Sequence, residues 1–222
     1  MTEFTTWRSL VDGAEISAIP DSVVFLPEED DLDNFGGATS DYVIDSSQPK
    51  FNTEFTDLSL KVDAVRPDYI GSLSGLNRYP KVGETHRVAI FLEDTDSWPR
   101  VHFGCDSVSG VSNSYSVNLR RPNDEDRLEI DRYDDGDRNS GIADINNVGL
   151  NVGEWHEVEI LHEANGDMTV TLFDNNGSEI DSLNHNDDTH ITDGEYDGNG
   201  IGIVADFDDS IGVAWDYWRI IE

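Results

Sequence analysis

Recognition of a sugar needs flat aromatic faces beside planar hydrogen-bonding groups such as amides, carboxylates or guanidinium. Two stretches of this 222-residue chain offer them. Trp98 stands next to Pro99 in a polar loop and is followed by Arg100, and Tyr69 and Tyr79 lie in a second loop, residues 68–82. Tyr69, Tyr79, Trp98 and Arg100 are therefore the expected ligand-binding set, with Trp98 as the exposed ring. Arg100, Arg120, Arg121, Arg127, Arg132 and Arg138 place six of the 14 basic residues between Trp98 and Ser140. Such a cluster could grip acidic or sulfated glycans, bridge to a neighbouring subunit, or pair with Asp and Glu inside its own sheet.

Other chemistries find less support. Asp134-Asp135-Gly136-Asp137 and the stretch 193–200 look like calcium loops but lack the spacing of an EF-hand. There are six His, yet no Gly-x-Ser-x-Gly turn, zinc spacing, phosphate loop or dinucleotide fingerprint. His156 alternates with Val158 and Ile160, so it reads as a core or boundary histidine, while His185 and His190 fall in an Asn/Asp-rich loop. Cys105 is the single cysteine, so no intrachain disulfide forms, and it reads as a small core residue.

The elements that position these residues are strands. Leu150 to Ser182 has a period of two, with His156, Val158 and Ile160 against Trp155, Glu157 and Glu159, then Met168, Val170 and Leu172 against Thr169, Thr171 and Phe173. Asn165-Gly166-Asp167 and Asp174-Asn175-Asn176-Gly177 supply the turns. The same pattern predicts strands over 42–44, 58–65, 87–93, 101–104, 114–120, 127–133, 179–183, 201–205 and 211–221. No stretch has a helical period. Strands separated by recurring turn signals predict an all-β, two-sheet antiparallel sandwich, with a jelly roll as the version that suits this length. Residues 1–27 carry their own apolar positions, punctuated by Pro20 and Pro27, and read as an arm: an edge strand, an oligomerisation arm or an attachment peptide. Residues 28–222 are the sandwich.

Composition narrows the setting. Asp and Glu number 47 against 14 Lys and Arg, for a net charge of -33. High Asp, scarce Lys and weak hydrophobicity suit molar salt, where the Debye length is about 3 Å and self-repulsion is screened. The same charge argues against nucleic acid and anionic membranes as partners. The N-terminus has no basic region followed by an apolar run, and no stretch is apolar enough to span a membrane.

Four runs carry a resemblance: Gly71–Thr85, Val152–Ile160, Thr169–Asp174 and Trp215–Ile220. Together they resemble the concanavalin A-like, or laminin G-like, jelly-roll superfamily, in the versions found in haloarchaea and their tailed viruses. The resemblance covers roughly residues 30–222. It implies sugar binding by the concave sheet or the rim loops. It also implies a structural Ca²⁺ between an acidic segment near the start of the jelly roll and an Asp of the last strand, here Asp31 or Asp33 with Asp216. On strict alternation Asp216 shares a face with Ala214, Trp218 and Ile220, and a carboxylate there needs a partner. Glycanases of this fold carry Glu-x-Asp-x-x-Glu on one strand. Glu129-Ile130-Asp131-Arg132-Tyr133-Asp134 departs from that at its last position, and its acids are expected on a solvent face with no nearby Trp.

The expected function is non-enzymatic glycan binding on the surface of a virion, as a fibre or spike of a halophilic virus. The partners would be host cell-surface glycans or a surface-layer glycoprotein, with other virion proteins held through residues 1–27 and a homo-oligomer, a trimer for preference. A purely structural capsid or tail decoration protein and a glycan hydrolase are the alternatives, and an extracellular position reached by a non-classical route is the alternative to the virion.

Overall fold

The structure is a computed structural model that describes residues 23–25, 27, 32–45, 58–65, 67–93, 97–120, 126–205 and 213–221. Its strands, in chain order, are β1 (Val23–Phe25), β2 (Gly36–Gly37), β3 (Tyr42–Asp45), β4 (Ser59–Val62), β5 (Ile70–Ser72), β6 (Thr85–Leu92), β7 (Pro99–Cys105), β8 (Ser114–Arg120) and β9 (Arg127–Asp134). There follow β10 (Asp137–Asn146), β11 (Glu154–His162), β12 (Asp167–Phe173), β13 (Glu179–Asn186), β14 (Ile191–Thr192), β15 (Glu195–Tyr196), β16 (Gly200–Ala205) and β17 (Ala214–Ile221). Two short 3-10 turns, Leu32–Asn34 and Thr39–Asp41, are the helical elements among the described residues. No helix of the described residues is long and apolar enough to cross a membrane.

The strands form two large antiparallel sheets. One has eight strands, in the order β13-β12-β11-β6-β17-β4-β3, with β1 also paired to β17. The other has seven, in the order β10-β9-β8-β7-β16-β5-β2. Alternation decides which side chains fill the space between them. Val88, Ile90 and Leu92 of β6, with Val158 and Ile160 of β11, meet Val101 and Phe103 of β7, Tyr115, Val117 and Leu119 of β8, and Leu128 and Ile130 of β9 in one core. The protein is thus an all-β, two-sheet antiparallel sandwich, as its periodicity requires.

Three departures from strict alternation matter for the site. Val23–Phe25, assigned from the sequence to the arm, pairs with β17 inside the eight-stranded sheet; residues 1–22 lie outside the described residues. Asp135 and Gly136 both have positive φ, 51° and 91°, so the acidic run that looks like a calcium loop but lacks its spacing is the two-residue turn of the β9–β10 hairpin. Between Asn139 and Ala143 the pairing of β10 with β9 slips, so that Ser140, Gly141 and Ile142 stand against Asp131 alone.

Candidate functional site

The face of the seven-stranded sheet that turns away from the core is polar along its middle strands. The alternation that buries Val101, Phe103, Tyr115, Val117, Leu128 and Ile130 sends Arg100, His102, Ser114, Ser116, Asn118, Glu129, Asp131 and Tyr133 to the other side. Asp131 is fully buried and is the hub of this face. Its Oδ2 accepts from Asn118 Nδ2 at 2.7 Å and from Arg138 Nε, and its Oδ1 accepts from the Gly141 backbone N–H at 2.6 Å. The slip in β10 is what delivers that N–H, since it bends the strand over the outer face. Arg138 also reaches Glu129 at 3.4 Å.

Trp98 supports two guanidinium groups. Arg100 lies 4.1 Å and Arg138 4.8 Å from the centre of its ring. Arg100 in turn donates from Nη1 to the Tyr133 hydroxyl at 3.0 Å. The Tyr133 ring stands 5.2 Å from His102, and the Tyr69 ring meets His102 edge-on at 5.3 Å. His102 shares a 3.3 Å hydrogen bond between Nδ1 and Ser114 Oγ. Burial, then the charges of Arg100 and Arg138, hold it well below the usual histidine range, so it is neutral. Tyr69 lies over Gly71 and Gly202, where any Cβ would run into its ring. An aromatic and polar row thus crosses the sheet from Tyr69 to Arg138.

The structure brings Tyr69, Trp98 and Arg100 onto this face but closes it over them. Trp98 is only 5% and Arg100 6% exposed, so the expected exposed platform is instead a buried support for guanidinium groups. Tyr79 is not part of the row. Its hydroxyl bonds Ser72 Oγ at 2.8 Å and accepts from the Leu76 N–H at 3.3 Å, which staples the 72–79 loop. Glu129 and Asp131, expected on a solvent side, are buried, and Trp98 stands beside them through Arg138. His102, Asn118 and Tyr133 join the row without having been singled out. Their signal was the polar parity of β7, β8 and β9, which alternation alone reads as solvent-facing.

Arg127, Arg132 and Arg138 of the arginine cluster pair within their own chain. Besides Arg138 with Asp131, Arg132 binds Asp134 and Asp187, and Arg127 reaches Asp144 at 3.4 Å and Glu129 at 3.7 Å. Trp155 packs its ring against Phe91 at 5.4 Å, and Cys105 is buried, which pushes its thiol up to about 12.

Of the acidic positions that the resemblance assigns to calcium, Asp33 and Asp216 are among the described residues. Asp31 lies outside them. Asp33 is exposed in the first 3-10 turn. Asp216 is buried, but its strand does not alternate strictly: Trp215 stands opposite Ile90 and Trp218 opposite Val88, so Asp216 and Tyr217 together occupy the place opposite Ala89. Asp216 therefore does not share the core face of Trp218. Among the described residues no group of three metal-ligating side chains forms.

No family model matches the chain, and no curated protein matches it in sequence. Solved structures do match in fold. The exoplasmic/lumenal domain of VIP36, in its Ca²⁺/Man3GlcNAc-bound form, aligns with a TM-score of 0.55 at 12% identity, over 91% of this chain and 89% of that one. Carbohydrate binding module CBM66 from Bacillus subtilis aligns at 0.49 and 11% identity, over 84% and 93%. A toad ovary galectin in complex with thio-digalactose aligns at 0.46 and 11%, over 69% and 98%. The likeness is one of fold: this chain and the VIP36 domain share the two-sheet, jelly-roll β-sandwich, and a haloarchaeal or viral origin does not enter into it.

Proposed function

We propose that this protein is a non-enzymatic glycan-binding protein and that the outer face of the seven-stranded sheet, with its β10 rim, is where it binds. One observation carries the reading: the row from Tyr69 through His102, Tyr133, Arg100 and Trp98 to Arg138, in which each polar group is held in place by a neighbour. Arg138 is the accessible end of that row. Its guanidinium is half-buried, stacked on Trp98 and oriented by Asp131, with exposed Asn139 and Ser140 beside it on β10. A pre-oriented guanidinium loses little freedom on meeting a ligand, which favours affinity. The fold also holds a bound Man3GlcNAc in the VIP36 domain.

Hydrolysis fits this face less well. The Asp131 oxygens are occupied by three donors, and Tyr133, not a carboxylate, takes the next place on that face of β9.

The reading includes a setting: the surface of a virion of a halophilic virus, as a homo-oligomeric fibre or spike. Supporting it are the net charge of -33 and the scarcity of Lys. It also includes a structural Ca²⁺ at Asp31, Asp33 and Asp216; a chelator that lowers the unfolding temperature would support that part, and an unchanged temperature would remove it.

The test is a glycan array in molar salt, followed by hydrogen exchange with any saccharide that binds. Protection gathered on residues 137–146 is the expected result. Binding to no glycan, or protection elsewhere, overturns the reading. The closure of the row favours a second one, a purely structural decoration protein of a capsid or tail docked through residues 1–27. Deleting residues 1–22, which leaves β1 in its sheet, should then release it from particles, and attachment that survives the deletion would exclude it.

A further inference from the structure

Five of the six histidines are buried. Two of them, His86 of β6 and His162 of β11, face each other's surroundings between the sheets. His86 stacks on Trp218 at 5.7 Å and meets Phe103 at 5.4 Å. His162 meets Tyr115 at 4.8 Å, Tyr196 at 5.6 Å and Phe103 at 6.3 Å.

Their partners fix where the protons sit. Trp218 Nε1 can only donate, and it lies 2.9 Å from His86 Nδ1, so the His86 proton is on Nε2. The Asp187 carbonyl can only accept, and it lies 2.8 Å from His162 Nε2, so that nitrogen carries the proton and Nδ1 carries the lone pair. His86 Nε2 and His162 Nδ1 are buried and have no hydrogen-bond partner among the described residues. An added proton is therefore badly placed on either ring. On His86 it displaces the Trp218 bond; on His162 it charges a buried ring, which the Gly166 backbone favours without outweighing burial.

His162 is also the foot of a loop. Besides its carbonyl bond to His162, Asp187 receives the Tyr115 hydroxyl at 3.0 Å, the Thr189 N–H at 2.9 Å and Arg132. The His190 N–H donates to the Tyr115 oxygen at 3.1 Å, and His190 Nε2 bonds the Tyr133 carbonyl at 2.7 Å. Residues 187–190 thereby tie β11 to β8 and β9, and end on the residue whose hydroxyl receives Arg100.

We propose that residues 187–190 are an acid-opened latch: the closed core refuses protons on His162 and His86, so mild acid favours an open form that accepts them, in which the loop lifts from β8, β9 and β11 and Tyr133 loses the contact that seats it beside Arg100. The idea goes beyond glycan binding and does not depend on it.

The charges around the pair decide the pH window. His162 is faced by His86 from β6, Tyr115 from β8, Tyr196 from β15, and Asp187 and Asp188 from the loop; Glu84 acts on Tyr196, and Arg132 of β9 on Asp187. Burial lowers His162 and outweighs the raising effects of the Asp187 and Gly166 backbone and of the Asp187 and Asp188 charges. Burial, then His162, pulls His86 down to about 3. Both folded values lie below the ordinary 6.5, so the closed state is fully stable above that pH and loses stability as pH falls through it. Burial raises Asp187, but its bonds to Thr189 and Arg132 win and hold it below the usual 3.8, so its protonation acts only at lower pH. The interval between belongs to the histidines.

Amide hydrogen exchange on the full chain in molar salt, at about pH 7.5 and about pH 5 with intrinsic rates removed, tests the latch. Protection of residues 187–190 should fall roughly ten-fold more than that of Val117 and Leu119 in β8. His162→Gln keeps a donor for Asp187, and His86→Asn keeps an acceptor for Trp218; neither titrates, and each should flatten the response. Equal protection at both pH values, or an undiminished response in both variants, overturns the proposal. If the variants fail to fold, the histidine ring signals of the wild-type protein serve. Protonation of either ring in step with loop opening supports the latch. Rings that protonate while the loop stays closed, or a loop that opens while both rings stay neutral, overturn it.

Discussion

Asp131 accepts from a side-chain amide, a guanidinium and a backbone N–H, and it does so with no exposure to solvent. A buried carboxylate of this kind is costly to disturb, because removing its charge leaves the partner cation without compensation. Asp131→Asn should destabilise the fold by about 3 kcal/mol in equilibrium denaturation. Combined with Arg138→Gln it should cost clearly less than the sum of the two single changes; strict additivity would mean that the two do not act as a pair. Gly202 is the opposite case, a residue that matters by having no side chain. Gly202→Ala pushes a methyl into the Tyr69 ring. It should cost about 1–3 kcal/mol and loosen the Tyr69–His102 contact, seen as a shift of the His102 ring signal. An unchanged His102 signal would separate Tyr69 from the row.

At the scale of elements, the loop 187–190 and the β10 bulge do most to hold the site. Hydrogen bonds and Arg132 keep Asp187 and Asp134 below the usual carboxylate range. A carboxylate lowered in this way stabilises the fold above its unfolded value and loses that contribution as pH falls. Unfolding free energy should therefore drop more steeply in the wild type than in Asp187→Asn below about pH 4. Asp134 adds less, being 36% exposed and screened. Most of this architecture was legible in the chain. β8 runs over Ser114–Arg120 as its alternation requires, and β6, β9, β11 and β12 fall within a residue or two of their apolar patterns. β10 was not legible. Asp137–Asn146 is an edge strand with an outward bulge, so its residues bury no regular face and leave no period to find. β5 hides in a Gly- and Ser-rich stretch for the same reason. The site was half legible. Parity gave the outer face of β9 to Glu129 and Asp131 correctly, but it says nothing of what covers a face, and so it misjudged Trp98, Glu129 and Asp131 as open to water.

For the molecule as a whole, charge is the dominant quantity. At a net charge of -33 the folded chain repels itself, and salt screens that repulsion within a few ångströms. The unfolding temperature measured by calorimetry should rise as NaCl goes from about 0.1 M to about 1 M, a range over which the Debye length falls from about 10 Å to about 3 Å. A flat response would remove the high-salt setting from the proposed function while leaving the sandwich untouched, since the core rests on apolar packing between the sheets.

The last strand carries one residue more than its neighbour needs. Trp215 and Trp218 both reach the core because Asp216 and Tyr217 share a single place opposite Ala89. Shortening the chain there has an unusual outcome. Deleting Asp216 would leave Trp215 and Trp218 two positions apart, which in a regular strand is the same side. Both indoles would stay inside, Tyr217 would still point toward Glu157, and every residue from Arg219 onward would keep its facing. The same deletion two residues earlier, at Ala214, would instead pull the β4 contact out of register. The surplus residue makes this strand a place where the chain can lose length without turning itself over.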